Sequence, residues 1–214
     1  MEEISLHRGI YLIVFLSSFI VGCSVYRYHR ALRILLAVML LGLITELLVE
    51  LNKHLPFSSE PIIYNIYIPI EYLLYAGFFY CINTNTYLRK AIVISIPLFV
   101  IAFLLLEVFQ PASLIDLATR SYTISGVLIT TWSVWTLFIL PPLEGIKIIR
   151  HPLLWICAGL IVFYSGITPF NLVYDAIITS DSFKPLSSYI QIGFNIFLYL
   201  SLIVGFVCSN RLKT

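Results

Sequence analysis

The stretch Ile34-Leu35-Leu36-Ala37-Val38-Met39-Leu40-Leu41-Gly42-Leu43-Ile44-Thr45-Glu46-Leu47-Leu48-Val49-Glu50-Leu51 carries charge only at Glu46 and Glu50. An α-helix rises 1.5 Å per residue, so about 20 mostly apolar residues cross the roughly 30 Å of hydrocarbon in a bilayer. The stretch therefore reads as one membrane crossing. Six more runs of the same kind flank it, giving spans at about 9–26, 34–51, 61–82, 91–109, 121–140, 153–174 and 186–208. The expected fold is all-α: a single domain over 1–214 made of seven transmembrane helices. The loops between them are too short to fold separately.

Composition agrees. The 214 residues are 60% hydrophobic and only 11% charged, with a mean hydropathy of +0.96. A soluble domain carries about 25% charged residues, so this chain lacks the charge to keep a folded surface in water. A net charge of +2, with no basic run longer than two residues, also argues against disorder and against a nucleic-acid partner.

Lys and Arg set the orientation, because basic loops stay cytoplasmic. Arg27, Arg30, Arg33, Arg89, Lys90, Lys147, Arg150, Arg211 and Lys213 follow the odd-numbered spans, whereas only Arg8, Lys53, Arg120 and Lys184 lie at the other face. Acidic residues, Glu107 among them, lean to that other face. The expectation is N-outside and C-inside, with Arg27, Arg30, Arg33, Arg89, Lys90, Lys147 and Arg150 forming a cytoplasmic basic face. Ile20-Val21-Gly22-Cys23 loosely resembles a lipoprotein cleavage site. Processing there would move Arg27, Arg30 and Arg33 outside, and Glu2 and Glu3 stand where such a signal needs positive charge, so span one is expected to remain.

The cysteines, Cys23, Cys81, Cys157 and Cys208, share no short spacing, and the histidines fall at span ends or in loops. No metal site and no cofactor is expected.

Hydrocarbon penalises polar side chains, so their positions within the spans carry the most information about function. On span three Tyr64, Tyr67, Glu71, Tyr75 and Phe78 share one helical face; on span seven Ser188, Gln191, Asn195 and Tyr199 do the same; span six offers Tyr164, Thr168, Asn171 and Asp175, and span two Gly42, Glu46 and Glu50. Span four has only Ser95 and reads as the most lipid-exposed. Counting along each helix places Glu71 roughly 15 Å from the outer edge and Glu46 roughly 18 Å from the inner one, at similar heights. The expected site is an outward-opening pocket between spans two, three, six and seven, lined by Glu46, Glu50, Asn65, Tyr67, Glu71, Tyr75, Tyr164, Thr168, Asn171, Gln191, Asn195 and Tyr199.

No Lys, Arg or His lies deep in any span. A glutamate there is protonated or bonded to a Tyr or Asn. It can carry a proton, accept a cationic ligand, act as an acid catalyst, or link helices by hydrogen bonds worth about 0.6–2 kcal/mol each. Pro69 and Pro169 each precede a polar residue, Glu71 and Asn171, by two, and free a carbonyl beside it. Such breaks in oppositely directed helices hint at a transporter-like repeat.

The segments Tyr64-Asn65-Ile66-Tyr67-Ile68-Pro69-Ile70-Glu71-Tyr72 and His151-Pro152-Leu153-Leu154-Trp155-Ile156, with Tyr164-Ser165-Gly166, resemble small seven-span bacterial inner-membrane proteins of unassigned function. The resemblance implies the architecture and the membrane, and no activity. Pro69-Ile70-Glu71 with its following aromatics is similar to part of the acidic motif of membrane lycopene cyclases, with Tyr72 in place of the second acid. That likeness implies acid-catalysed isoprenoid cyclisation with Glu46 and Glu71 as proton donors. Span seven contains no lysine for a retinal Schiff base. The first expectation is a binding or accessory membrane protein, such as a regulatory subunit of a signalling or defence system. Its partners would be membrane lipid, a small or lipid-like ligand, and a protein at the cytoplasmic face. A terpene-type cyclase and a proton-coupled carrier are the alternatives.

Overall fold

A computed structural model describes the backbone of residues 2–25, 30–52, 60–109, 119–140, 147–177 and 183–211; the side chains of 2–6, 8, 60, 108, 171–177, 183–187 and 211 lie outside the description. The described residues form helices α1 (Glu2–Val25), α2 (Arg30–Asn52), α3 (Glu60–Ile82), α4 (Thr86–Phe103), α5 (Thr119–Phe138), α6 (Pro152–Ile177) and α7 (Phe183–Arg211), and no strand. Within them, 30–52, 61–82, 86–107, 152–170 and 188–210 are each long and apolar enough to cross a membrane. The chain is a helical membrane protein.

The surface differs from that of a soluble protein. On α4, Ser95 is 6% exposed while Leu98, one turn on, is 61% exposed. Many large apolar side chains face outward, while small polar ones (Ser18, Ser121, Ser125, Ser133, Ser201) join a buried apolar set that includes Phe15, Phe78, Leu88 and Phe99. In lipid the outward apolar surface is the favourable one, and a hydroxyl inside a helix can return its hydrogen bond to the backbone. Ser125 Oγ donates to the Tyr122 carbonyl and Thr123 Oγ1 to that of Thr119. Of the five apolar helices, the one containing α4 is the least buried, in keeping with its near absence of polar residues.

The chain divides into two compact units. One comprises residues 29–129. Here α2 packs on α3 and α3 on α4. The α3–α4 corner is tight because Asn85 caps α4, its side-chain oxygen accepting from the amides of Tyr87 (2.9 Å) and Leu88 (3.1 Å). The Tyr72 hydroxyl lies 2.6 Å from Ser95 Oγ, which donates to the Ile92 carbonyl, so the phenol is the donor of this α3–α4 link. At its far end α4 widens into a π-helical turn, Leu104–Val108, closed by Phe109 N–H on the Leu104 carbonyl. The wider turn carries Glu107 onto the buried stripe of Leu88, Ile92, Ser95 and Phe99. Its Oε1 accepts from the Ser121 amide (3.2 Å) and hydroxyl (3.0 Å), which ties α4 to the start of α5.

The other unit comprises residues 1–28 and 130–214. In it α7 packs against both α6 and α1. The α6–α7 pair is antiparallel and close: a Cβ added at Gly159 would meet Ser201 Cβ at 2.7 Å, and one at Gly205 would meet Ile156 Cγ1 at 2.7 Å. Small residues let helices approach where lipid supplies no hydrophobic drive. α1 runs parallel to α7, with His7 edge-on to Tyr189 at 5.1 Å and Phe15 stacked on Tyr199 at 4.4 Å.

Candidate functional site

Glu71 is the most buried of the proposed pocket acids, 6% exposed on α3. The helical spacing read from the sequence places Tyr67 one turn away, and its hydroxyl donates to Glu71 Oε1 at 2.7 Å. Tyr75, one turn on the other side, is buried as well. Tyr122 of α5 lies within electrostatic range of both Glu71 and Tyr75. One phenol, that of Tyr67, is thus bonded to the carboxyl within residues 29–129, and those of Tyr75 and Tyr122 belong to the same unit. Phenols donate to a carboxylate or accept from a carboxylic acid, so the group offers hydrogen bonds in either protonation state.

Glu46 and Glu50 extend the same unit on α2, half-buried and exposed respectively. The antiparallel register follows from Gly77 facing Ile34. It places Glu46 level with Asn65, which is buried, and Glu71 level with Leu40. The two acids are about 9 Å apart along the pair, from six residues at 1.5 Å each. They are not at one height.

The remaining pocket residues lie on α6 and α7. Tyr164 is fully buried and Thr168 is 7% exposed, its hydroxyl buried without a hydrogen bond. The register set by Gly159 against Ser201 and Gly166 against Phe194 puts Asn195 level with Ser165, and Gln191 level with Pro169. The stripes of α6 and α7 therefore meet at matching levels. Asn195 Nδ2 donates to the Gln191 carbonyl, and Tyr199 stacks on Phe15. The Asn171 side chain lies outside the described residues.

The basic residues cluster by helix end. Arg30 and Arg33 open α2, and Arg89 and Lys90 open α4; because α3 is antiparallel to both, all four lie at the same end of their unit. Lys147 and Arg150 are exposed beside the 3-10 turn Ile148–Arg150, to which Trp155 is tied by an indole N–H bond of 2.7 Å to the Ile149 carbonyl. Arg27 is outside the described residues. Among the described residues no group of three His, Cys, Asp or Glu side chains could hold a metal ion.

Sequence reasoning missed Glu107, Ser121 and Tyr122. The first was counted as a surface acid, and the other two lie in the span with the weakest apolar signal. No protein-family model, curated protein or solved structure matches the chain.

Proposed function

We propose that the chain is a seven-span protein of the bacterial cytoplasmic membrane, with its N-terminus outside, that binds a small or lipid-like ligand at Glu71. In this reading it acts without catalysis, as an accessory subunit of a signalling or defence system, and its basic end meets anionic lipid or a protein partner. Neighbouring helices alternate in direction through α2, α3 and α4, and α6 and α7 are antiparallel, as successive crossings require. α5 is too polar to qualify as a span by hydropathy, yet Ser121, Ser125, Ser133 and Thr136 are all buried, and Val127, Trp135 and Phe138 are exposed, so much of its polarity is kept off its surface. The clustering of Arg30, Arg33, Arg89 and Lys90 at one end suits a cytoplasmic face.

The observation that carries the reading is the buried Glu71 carboxyl bonded to the Tyr67 hydroxyl. Wild-type protein and Glu71→Leu would be purified from native membranes in mild detergent, and the bound small molecules identified by mass spectrometry. A species retained at about one per chain by wild type and lost from Glu71→Leu supports the reading; identical profiles contradict it. Isoprenoid cyclisation is the second reading, favoured by the buried aromatic rings of Tyr75 and Phe78, one and two turns along α3 from Glu71, which suit a carbocation. Turnover of an added polyene, abolished in Glu71→Gln, would decide for it.

A further inference from the structure

At the α3–α4 corner a cavity of about 420 Å³ is lined by Tyr80, Thr86, Arg89, Lys90, Val93 and Ile94. Five of these lie on one face of α4, at spacings of three and four residues, and they are sorted by chemistry along it. The hydroxyl of Thr86 and the two cations sit at the helix start. Val93 and Ile94, 50% and 59% exposed, follow one turn deeper. Leu98 and Ile101 continue the apolar surface toward the middle of the span. The Arg89 guanidinium lies 4.1 Å above the Tyr80 ring, which fixes its position at the cavity wall. No ion pair engages Arg89 or Lys90 among the described residues. The cap by Asn85 makes the corner a firm one.

We infer that this cavity seats one anionic phospholipid, its phosphate between Arg89, Lys90 and the Thr86 hydroxyl and its acyl chain along Val93 and Ile94. Charge complementarity selects an anion, and the two positive charges exceed what a zwitterionic headgroup supplies. The apolar floor, continuous with the exposed face of α4, selects an anion that carries a hydrocarbon tail over a soluble phosphate or an acidic peptide. Arg89 offers a planar fork of donors held by the ring, and Lys90 a mobile point charge, a pairing suited to phosphate oxygens. The inference rests on the membrane reading of the chain and is independent of what Glu71 binds.

The test is native mass spectrometry of the full chain released from nanodiscs containing phosphatidylglycerol and phosphatidylcholine in equal parts. Wild type should retain one phosphatidylglycerol in preference to phosphatidylcholine. The double variant Arg89→Gln/Lys90→Gln should lower that retention at least about tenfold, given about 1 kcal/mol for each basic residue near an anionic surface. Tyr80→Leu, which alters neither charge nor topology, should weaken retention as well, and Tyr80→Phe should restore it. Arg120→Gln, at an exposed arginine outside this cavity, serves as the charge control and should behave as wild type. Equal retention by wild type and the double variant, equal loss in Arg120→Gln, or displacement of the lipid by millimolar inorganic phosphate would each overturn the inference. The lipid is of known identity and is added, so the result stands apart from the search for a ligand lost from Glu71→Leu.

Discussion

The Tyr67 hydroxyl donates to Glu71 Oε1 across one turn of α3, at 2.7 Å. Tyr67→Phe removes the donor and leaves the carboxyl in place. It should lower stability by about 0.5–1.5 kcal/mol, the net worth of one hydrogen bond. Glu71→Gln keeps a carbonyl oxygen in the same position and should cost less than Glu71→Leu. Thermal unfolding in one detergent compares all three, and unchanged melting of Tyr67→Phe would show that the bond contributes nothing.

Glu107 performs a different task. Its carboxylate accepts from the amide and hydroxyl of Ser121, two residues inside the start of α5, as a capping group brought from another helix. Glu107→Ala should cost about 1–2 kcal/mol, in the range of a lost N-cap. Combining it with Ser121→Ala should cost less than the sum, because both remove one interaction. Full additivity in the double-mutant cycle would contradict the contact.

The α6–α7 seam depends on missing side chains. Gly159→Ala and Gly205→Ala each force an atom to 2.7 Å from a neighbour that cannot easily yield: Ser201 Cβ in one case, Ile156 Cγ1 with the Pro152 carbonyl behind it in the other. Each should destabilise by about 1–3 kcal/mol. At Gly193 an added methyl meets nothing within 4 Å. Gly193→Ala should be neutral, or stabilising by up to about 1 kcal/mol through helix propensity. Equal melting temperatures for the three variants would refute the close approach.

His151 gives the protein a pH-dependent helix start. It stands just before Pro152, and its Nδ1 accepts from the Leu153 amide at 3.2 Å, which requires the ring nitrogen to be unprotonated. Burial lowers its pKa from the ordinary 6.5. The unfolded chain then takes up a proton before the folded one as pH falls. This contribution to stability is complete above about pH 6.5 and is lost progressively below it, down to the lowered folded value. His151→Asn keeps a capping oxygen without a titration. The drop in melting temperature from pH 7.5 to 5.5 should be smaller in this variant than in wild type, and an equal drop would contradict the assignment.

The helices, five of them long and apolar enough to cross a membrane, and the Tyr67–Glu71 pairing on α3 were legible because the length of an apolar run and the 3.6-residue turn survive from sequence into structure. Glu107 was not legible, since a π turn changes which residues share a face and no local sequence signal announces it. Tyr122 escaped because the serines and threonines around it weaken the apolar signal of its helix, although Ser121 and Ser125 are buried and the Thr123 and Ser125 hydroxyls turn back onto the helix backbone. The expected equal depth of Glu46 and Glu71 came from counting inward from span edges. The register set by Gly77 and Ile34 depends on side-chain volumes that such counting ignores.

The proposal that the polar side of α3 faces outward is tested most directly by labelling introduced cysteines in whole cells. With Cys23, Cys81, Cys157 and Cys208 replaced, Tyr67→Cys and Ile66→Cys would be treated with a membrane-impermeant thiol reagent. Tyr67 lies on the polar stripe, while Ile66 is 59% exposed on the face assigned to lipid. The expected result is labelling at position 67 from outside the cell and none at position 66. Labelling at 66 alone, or at 67 only after the cytoplasmic face is opened, would contradict the proposed hollow and the orientation of the chain.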